Sequence, residues 1–452
     1  MKTLQELREI FQEWLESPQE NLVLHSSEIA SILRNSFHKD KNLFFKYVAK
    51  IENRFLGEII LELPEKLKNE VIEFLSSKDL AEATNSLESD DATDLIQDIK
   101  DISEKKVEQV LSLLSQDDKD EINRLLKYEQ NQAGAWMQTE FFFAFINDTV
   151  SDAIERLKEL KSIGELDEVY QLFIMDNNLR ILGNMKIDNL LIQDFDTKFS
   201  TIIQDLDYQD ISVFATDDIK VVSRKFEEYN LQVVPVLDEN GKMIGRITSD
   251  DAYDIISEIA TEQVYNMAGV DDEVEEEANL KEIIKTRAFW LFLNLFTAVL
   301  ASLVISFFDT TLQALIPLAI LMPIVASMGG NAGTQTLTVV VRQLALGEIE
   351  KGDGQNAIKR EVIISLINGF VFAIIISIIT YFWFGNVMLG VVIAVAMVIN
   401  LFIAGLFGSV IPLLLERFKI DPAIGSTVLL TTATDIFGFF VFLGLAKLIL
   451  IG

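Results

Sequence analysis

Five apolar stretches fill the chain after residue 287, and they leave that part of it only one solvent to fold in. Stretches 288–308, 312–341, 362–384 and 387–415 hold 21, 30, 23 and 29 residues without a charge; stretch 423–450 holds 28, with Asp435 and Lys447. About 20 apolar residues carry a helix across the hydrocarbon core, so all five qualify as spans, and the longer ones have to tilt or break. The basic residues agree on an orientation. Lys281, Lys285 and Arg287 precede the first stretch. Arg342, Lys351, Lys359 and Arg360 lie between the second and third, and Arg417 and Lys419 between the fourth and fifth. The joints 309–311 and 385–386 have none. Positive-inside bias then makes the N-terminal half cytoplasmic and the C-terminus external in a multi-pass cell-membrane protein. Lys447 falls near the outer end, where its long side chain can snorkel.

The other part of the chain is acidic. The first 287 of 452 residues carry 61 acidic and 31 basic side chains, and the remainder 8 and 7. Nucleic acid is excluded as a partner, because phosphate binding needs a basic surface; the balance favours cations. Cysteine is absent, which removes disulfides, thiolate metal sites and cysteine nucleophiles. His25 and His38 are the only histidines, which closes most routes to zinc or copper and to a Ser-His-Asp triad. No catalytic constellation, phosphate loop or redox motif is visible, and the chain is not expected to be an enzyme. Residues 1–20 carry charges every few positions, unlike a secretory signal; Leu4, Leu7, Ile10, Phe11, Trp14 and Leu15 are spaced as one face of an amphipathic helix.

Residues 1–131 read as Leu-rich helices with acidic turns, a pattern that predicts a superhelix of stacked pairs. From residue 132 the texture changes. VYQLFIMDNNLRILGNMKIDNLL and NLQVVPVLDENGKMIGRITSDDAYDII share one order: strand, turn, strand, helix start. In the second copy the strands are 232–237 and 243–248 about a hairpin turn at 238–241, and helices at 151–160 and 219–229 precede the two copies. Residues 132–256 are therefore a tandem α/β repeat. Residues 257–286 are expected to connect it to the membrane as one long helix over 255–285, with the charged run 271–277 solvated. Residues 287–452 form an all-α membrane domain.

The tandem unit resembles a pair of CBS domains, and the order helical repeat, CBS pair, five spans is similar to the MgtE family of magnesium transporters and channels. The motifs that carry the resemblance are AGAWMQTEFF at 133–142, PVLDENGKMIGRITSDDAYDII at 235–256, PIVASMGGNAGTQTLTVVVRQLALGEI at 323–349 and DPAIGSTVLLTTATDIFGFF at 421–440. The last two, inside the spans, decide the family. The resemblance implies a chain that moves Mg²⁺ into the cytosol down its electrochemical gradient. Cytosolic Mg²⁺ would close it, with residues 257–286 as a plug.

Asp435 stands near the middle of the fifth stretch, where a carboxylate costs about 2.5–3.5 kcal/mol on insertion scales and marks a functional site by default. Lys447 is roughly 18 Å away along the helix. The resemblance maps the pore magnesium ligand onto Asp435. Magnesium asks for oxygen ligands and parts slowly with water. Gly329, Gly330, Asn331, Thr432 and Asn400 are candidates to line the path, with the glycines either opening the helix or packing it closely. One carboxylate per chain is thin for a divalent ion, so a homodimer sharing a pore is expected, in contact with membrane lipid and with no obligate protein partner.

The resemblance further implies regulatory magnesium ligands at Glu58, Asp90, Asp94, Asp218, Asp251, Asp254, Glu262 and Asp421. The family pattern EATED reads Ile259-Ala260-Thr261-Glu262-Gln263 here, and Asn230 replaces an expected acid, so weaker or fewer sites are expected. Gly245, Thr248 and Asp251 match G-x-x-T-x-x-D, an adenosine-ligand signature of CBS domains, which makes ATP a second candidate ligand. Two alternatives stand beside magnesium transport. One is transport of another divalent ion such as Co²⁺ or Mn²⁺, because oxygen ligands accept several hard ions. The other is a membrane cation sensor that transports nothing.

Overall fold

The computed structural model describes residues 3–16, 24–164, 166, 169–204, 210–270, 280–349 and 353–451. They form two compact units, Met1–Ile256 and Ser257–Gly452.

The first unit opens with nine helices among the described residues, from Leu4–Glu16 to Gln116–Leu125. Each packs on helices one to three places along the chain, as the stacked-pair reading expects. Their ends are chemically punctuated. Ser76 and Asp79 form a capping box at the helix Ser77–Thr84, and Asp40 accepts from the Asn42 amide at 2.9 Å to start Lys41–Val48; such caps satisfy the orphan amides of a first turn. One apolar core runs through the stack, from Leu7 to Ile122.

The tandem repeat is two three-stranded sheets of identical topology. Phe143–Phe145 pairs parallel with Gln171–Met175, which pairs antiparallel with Ile181–Lys186. Val213–Phe214, Val233–Leu237 and Met243–Thr248 repeat the arrangement. Even the bulge recurs, at Ile174/Met175 and Val236/Leu237. Asp176 accepts from the Asn178 and Arg180 amides, and Asp238 from those of Asn240 and Lys242, so both hairpins turn on the same aspartate-capped loop. Asn230 closes the helix Ile219–Tyr229 in the left-handed region at φ 50°, a position asparagine tolerates better than an acid with no local bond to make.

The helix Ser249–Ala268 leaves the second sheet and stops at Gly269, φ 71°. The expected single helix over 255–285 is therefore corrected: a left-handed glycine ends it, and the next helix is Leu280–Ser306. The charged run 271–277 lies outside the described residues.

Among the described residues five helices are long and apolar enough to cross a membrane: Ile283–Ser306, Ile316–Ala345, Gly354–Phe384, Val387–Arg417 and Ser426–Ile451. Their bounds differ from the uncharged stretches because helical hydrogen bonding continues past the last apolar residue. The third starts eight residues early and includes Lys359, Arg360 and Glu361. A short helix, Asp309–Ala314, joins the first to the second. Gly385, left-handed at φ 67°, closes the third, and the next residue, Asn386, caps the fourth. The fourth is the centre of the unit, with 56% of its apolar window buried against 6% for the first.

Candidate functional site

Asp435 sits in the last membrane helix, half-buried, and among the described residues no side chain bonds or pairs with it. The threonines around it have turned inward. Thr431 and Thr432 donate to the carbonyls of Thr427 and Val428 at 2.9 and 2.6 Å, and Thr434 to Leu430 at 3.1 Å. This back-bonding satisfies their protons within the helix and leaves their oxygens as acceptors. Thr432 thus offers lone pairs, as a hydrated cation requires.

The glycine-rich second span is one continuous helix, Ile316–Ala345, so of the two readings of its glycines the opened helix is not the one the structure shows. Its glycines admit neighbours instead. A Cβ on Gly329 would lie 2.5 Å from Asn400 Nδ2, and one on Gly333 2.8 Å from Leu430 Cδ1. A Cβ on Gly408 would likewise lie 2.8 Å from the Gly333 carbonyl oxygen. Gly330 alone of this group faces open space. Asn400 is fully buried: its Nδ2 donates to the Val325 carbonyl at 2.7 Å, and its Oδ1 has no partner among the described residues. It is the peg of a three-helix junction, between Gly329 and Gly438, and this chain by itself exposes it to no path. Asn331 is exposed, donating to Ser327 at 3.3 Å. The sequence reading missed its companions. Ser327, Asn331, Gln335 and Thr338 are all exposed at i, i+4, i+8 and i+11, a polar stripe on one face of a membrane helix.

At the cytoplasmic end, Thr427 Oγ1 donates to the Met267 carbonyl at 2.8 Å, so the tip of the connecting helix touches the first turn of the last span. Met267 packs there with Leu337, Val341, Ala423 and Leu430. Glu262 accepts from Asn266 at 3.3 Å on the same helix. Asp421 caps the turn before the last span through the Ala423 amide at 2.7 Å. Ile259 is buried, which suits the apolar replacement of an acid there.

The first unit gathers carboxylates between the helix Ser89–Ile102 and the start of Ser249–Ala268. Asp90 is buried, and its Oδ1 has no partner among the described residues. Burial, then the nearby Asp251 and Asp91, hold its carboxyl well above the ordinary range. Burial pushes Asp251 up to about 7, against a hydrogen bond from Thr248 and with Asp250 adding repulsion. Asp91 is pushed to about 6 by burial and by Glu58, Asp250 and Asp254. Glu88 rises to about 7 by burial, offset by Arg246, whose Nη2 is 3.8 Å away. Asp94 is raised by the crowding protein and Asp91, but its side chain reaches solvent, which screens it. Asp254 is raised by partial burial and Asp250. Glu58 lies at the exposed edge, accepting from Ser26 at 2.6 Å. Of the acids expected here, the structure draws Glu58, Asp90, Asp94, Asp251 and Asp254 into one field, and adds Glu88, Asp91 and Asp250. Asp218 is engaged elsewhere as the N-cap of Ile219–Tyr229, accepting from the Lys220 amide at 2.8 Å.

A buried carboxyl oxygen without a partner among the described residues, in a field of acids whose burial and mutual repulsion oppose ionisation, fits a hard cation, which would relieve that repulsion. Among the described residues, however, no three of these side chains converge closely enough to hold one outright.

Gly245 is explained by the backbone. A Cβ there would lie 2.7 Å from the Gln138 carbonyl, which accepts from the Arg246 amide at 2.8 Å. Thr248 Oγ1 lies 2.5 Å from Asp250 Oδ1 and 2.8 Å from Asp251 Oδ2, a helix-start arrangement that occupies the motif's acid.

An acidic helical stack and tandem α/β unit followed by five helices long and apolar enough to cross a membrane, the last carrying an acidic side chain within its span, define the class as a multi-span membrane protein with an acidic N-terminal part. Residues 322–445 match the family described as a divalent cation transporter, residues 24–131 the MgtE intracellular N domain and residues 203–258 the CBS domain. Magnesium transporter MgtE of Enterococcus faecalis (strain ATCC 700802 / V583) is 33% identical over 73% of this chain and 71% of its own length. That of Bacillus subtilis (strain 168) is 28% identical over 92% and 96%. The soluble part of a magnesium transporter aligns with 57% of this chain and all of its own at 26% identity and a TM-score of 0.49. The chain belongs to the MgtE family of magnesium transporters, with its N-terminal domain cytosolic.

Proposed function

We propose that the chain admits Mg²⁺ to the cytosol down its electrochemical gradient through a path at Asp435, and that cytosolic Mg²⁺ closes it. The observation that carries this reading is the half-buried carboxylate at mid-span with no cationic partner among the described residues. An anion left unpaired at that depth is costly and calls for a transient cation. Gly330, Asn331 and Thr432 contribute space and oxygens. The polar stripe Ser327–Thr338 supports a homodimer, since exposed amides and hydroxyls are poorly matched to lipid and well matched to a second copy across a hydrated two-fold path. In that assembly the C-terminus lies outside.

Closure follows from the acid cluster. Like charges at 4 Å repel by about 4 kcal/mol at an effective dielectric of 20. Asp90, Asp91, Asp94, Asp251 and Asp254, with Glu58 at the edge, would hold the regulatory ion, which supplies the positive charge that lets them approach. They would bind it more tightly when compact, and this difference in affinity is what couples it to gating. Because they do not yet converge, the sites are expected to form only on compaction. Glu262 and Asp421 border the point where the connecting helix meets the last span. ATP at Gly245, Thr248 and Asp251 is a second part of the reading; it would have to displace the Thr248–Asp251 bonds, and calorimetric titration with ATP tests it.

Mg²⁺ flux into proteoliposomes, with inner Mg²⁺ varied and Asp435→Ala beside the wild type, tests the whole. Flux that needs Asp435 and falls as inner Mg²⁺ rises supports pore and sensor together. No Mg²⁺ flux with Co²⁺ or Mn²⁺ flux intact assigns another cargo, and no flux of any divalent ion favours the non-transporting sensor.

A further inference from the structure

The indole of Trp290, early in the first membrane helix, is wedged between two glycines of other elements. A Cβ placed on Gly269 would stand 3.4 Å from Trp290 Cγ and Cδ2; one placed on Gly425 would stand 2.9 Å from its Cζ3 and Cη2. The inner edge of the ring therefore lies against the end of the connecting helix, and its outer edge against the start of the last span. Both glycines are left-handed, at φ 71° and 64°. Gly269 ends the helix Ser249–Ala268 and Gly425 is the N-cap of Ser426–Ala446, so the ring touches both at their hinges. The first span is otherwise the least buried of the five, and this one large side chain reaches inward. The same two ends are tied by Thr427 and Met267. Asp435 lies eight residues past Thr427 in the same helix, about 12 Å along its axis.

We propose that Trp290 is a positioning residue that couples the tip of the connecting helix to the ion-carrying last span. A rigid plate with two rotatable bonds passes a displacement of Gly269 on to Gly425, where a flexible side chain would absorb it. The coupling rests on the closure reading above, since it is through this contact that the connecting helix would bias the last span.

The test uses the full chain in proteoliposomes, reading Mg²⁺ flux against inner Mg²⁺. Trp290→Phe keeps the ring edge at Gly269 and loses the edge at Gly425. It should leave flux at low inner Mg²⁺ within about twofold of wild type and raise the inner Mg²⁺ for half-closure about tenfold, a coupling in the ordinary allosteric range. Gly425→Ala drives a methyl into the same edge and should also move the closing concentration. In the Trp290→Phe background that shift should largely vanish, whereas backbone strain alone would appear equally in both backgrounds. Closure of Trp290→Phe at the wild-type concentration, or independent effects of the two substitutions, overturns the coupling. A wild type that does not close as inner Mg²⁺ rises overturns the closure reading and the coupling with it; a wild type that closes beside an unmoved Trp290→Phe overturns the coupling alone.

Discussion

The amide of Asn400 donates to the carbonyl of Val325 at 2.7 Å from a position that only glycines at 329 and 438 leave open. Gly329 of the second span and Gly438 of the fifth leave the room that seats this one buried polar side chain of the fourth. Gly329→Ala would set a methyl 2.5 Å from Nδ2 and should cost about 1–3 kcal/mol by overpacking. Asn400→Ala alone should cost less, about 0.6 kcal/mol for one interhelical bond in a membrane. Thermal unfolding of the full chain in detergent checks both, and Gly329→Ala should be well tolerated once Asn400 is alanine.

Asp435→Asn removes a charge and keeps the shape. Mg²⁺ flux in proteoliposomes should fall to background while the thermal midpoint holds or rises, because an ionised carboxylate at that depth is costly. Flux near the wild-type level would move the ion path elsewhere.

The acid cluster should give an inverted pH response. Asp91, Asp251 and Glu88 are raised to between about 6 and about 7, from ordinary values near 4. Between those limits the folded state holds more protons than the unfolded one, so stability falls as pH rises and is regained as pH drops through 7 towards 4. In divalent-free buffer, hydrogen exchange of residues 89–102 should slow on going from pH 8 to pH 5.5 at matched intrinsic rates. Added Mg²⁺ at pH 8 should have the same effect. Faster exchange at the lower pH would contradict the crowding.

Asp90→Asn should flatten that profile. It keeps a polar group at the buried position and removes a carboxyl held far above its usual range by burial, Asp251 and Asp91. The thermal midpoint near pH 8 without divalent ions should rise by a few degrees, about 1 kcal/mol or more in a chain of this size. The stabilisation by Mg²⁺ should shrink in the same measurement.

Much of the architecture is legible in the sequence. Five spans follow from uninterrupted apolar length, and the tandem repeat from two strand–turn–strand copies whose turns prove to rest on Asp176 and Asp238 in the same way. Helix ends were less legible. Gly269 reads in sequence as an ordinary residue of a long helix, and the third helix begins eight residues before its uncharged stretch, because backbone hydrogen bonding is indifferent to hydropathy. The glycines of the second span could be read as a broken helix or as close packing, and periodicity alone does not choose between them. Asn331 was visible as a candidate; its stripe partners Ser327, Gln335 and Thr338 were equally visible at helical spacing and were overlooked.

The chain's sequence by itself determined which part enters the membrane, which part is acidic and cytosolic, and which single carboxylate lies at mid-span, because these depend on composition over lengths that no fold can hide. Tertiary structure decided what each polar side chain faces. Asn400 became a buried peg, Asp218 a helix cap and Trp290 a wedge, while Asp90, Asp91 and Asp251 came into one field from positions far apart in the chain. Charge, burial and hydrogen bonding act over a few ångströms in space, and distance along a sequence does not report them.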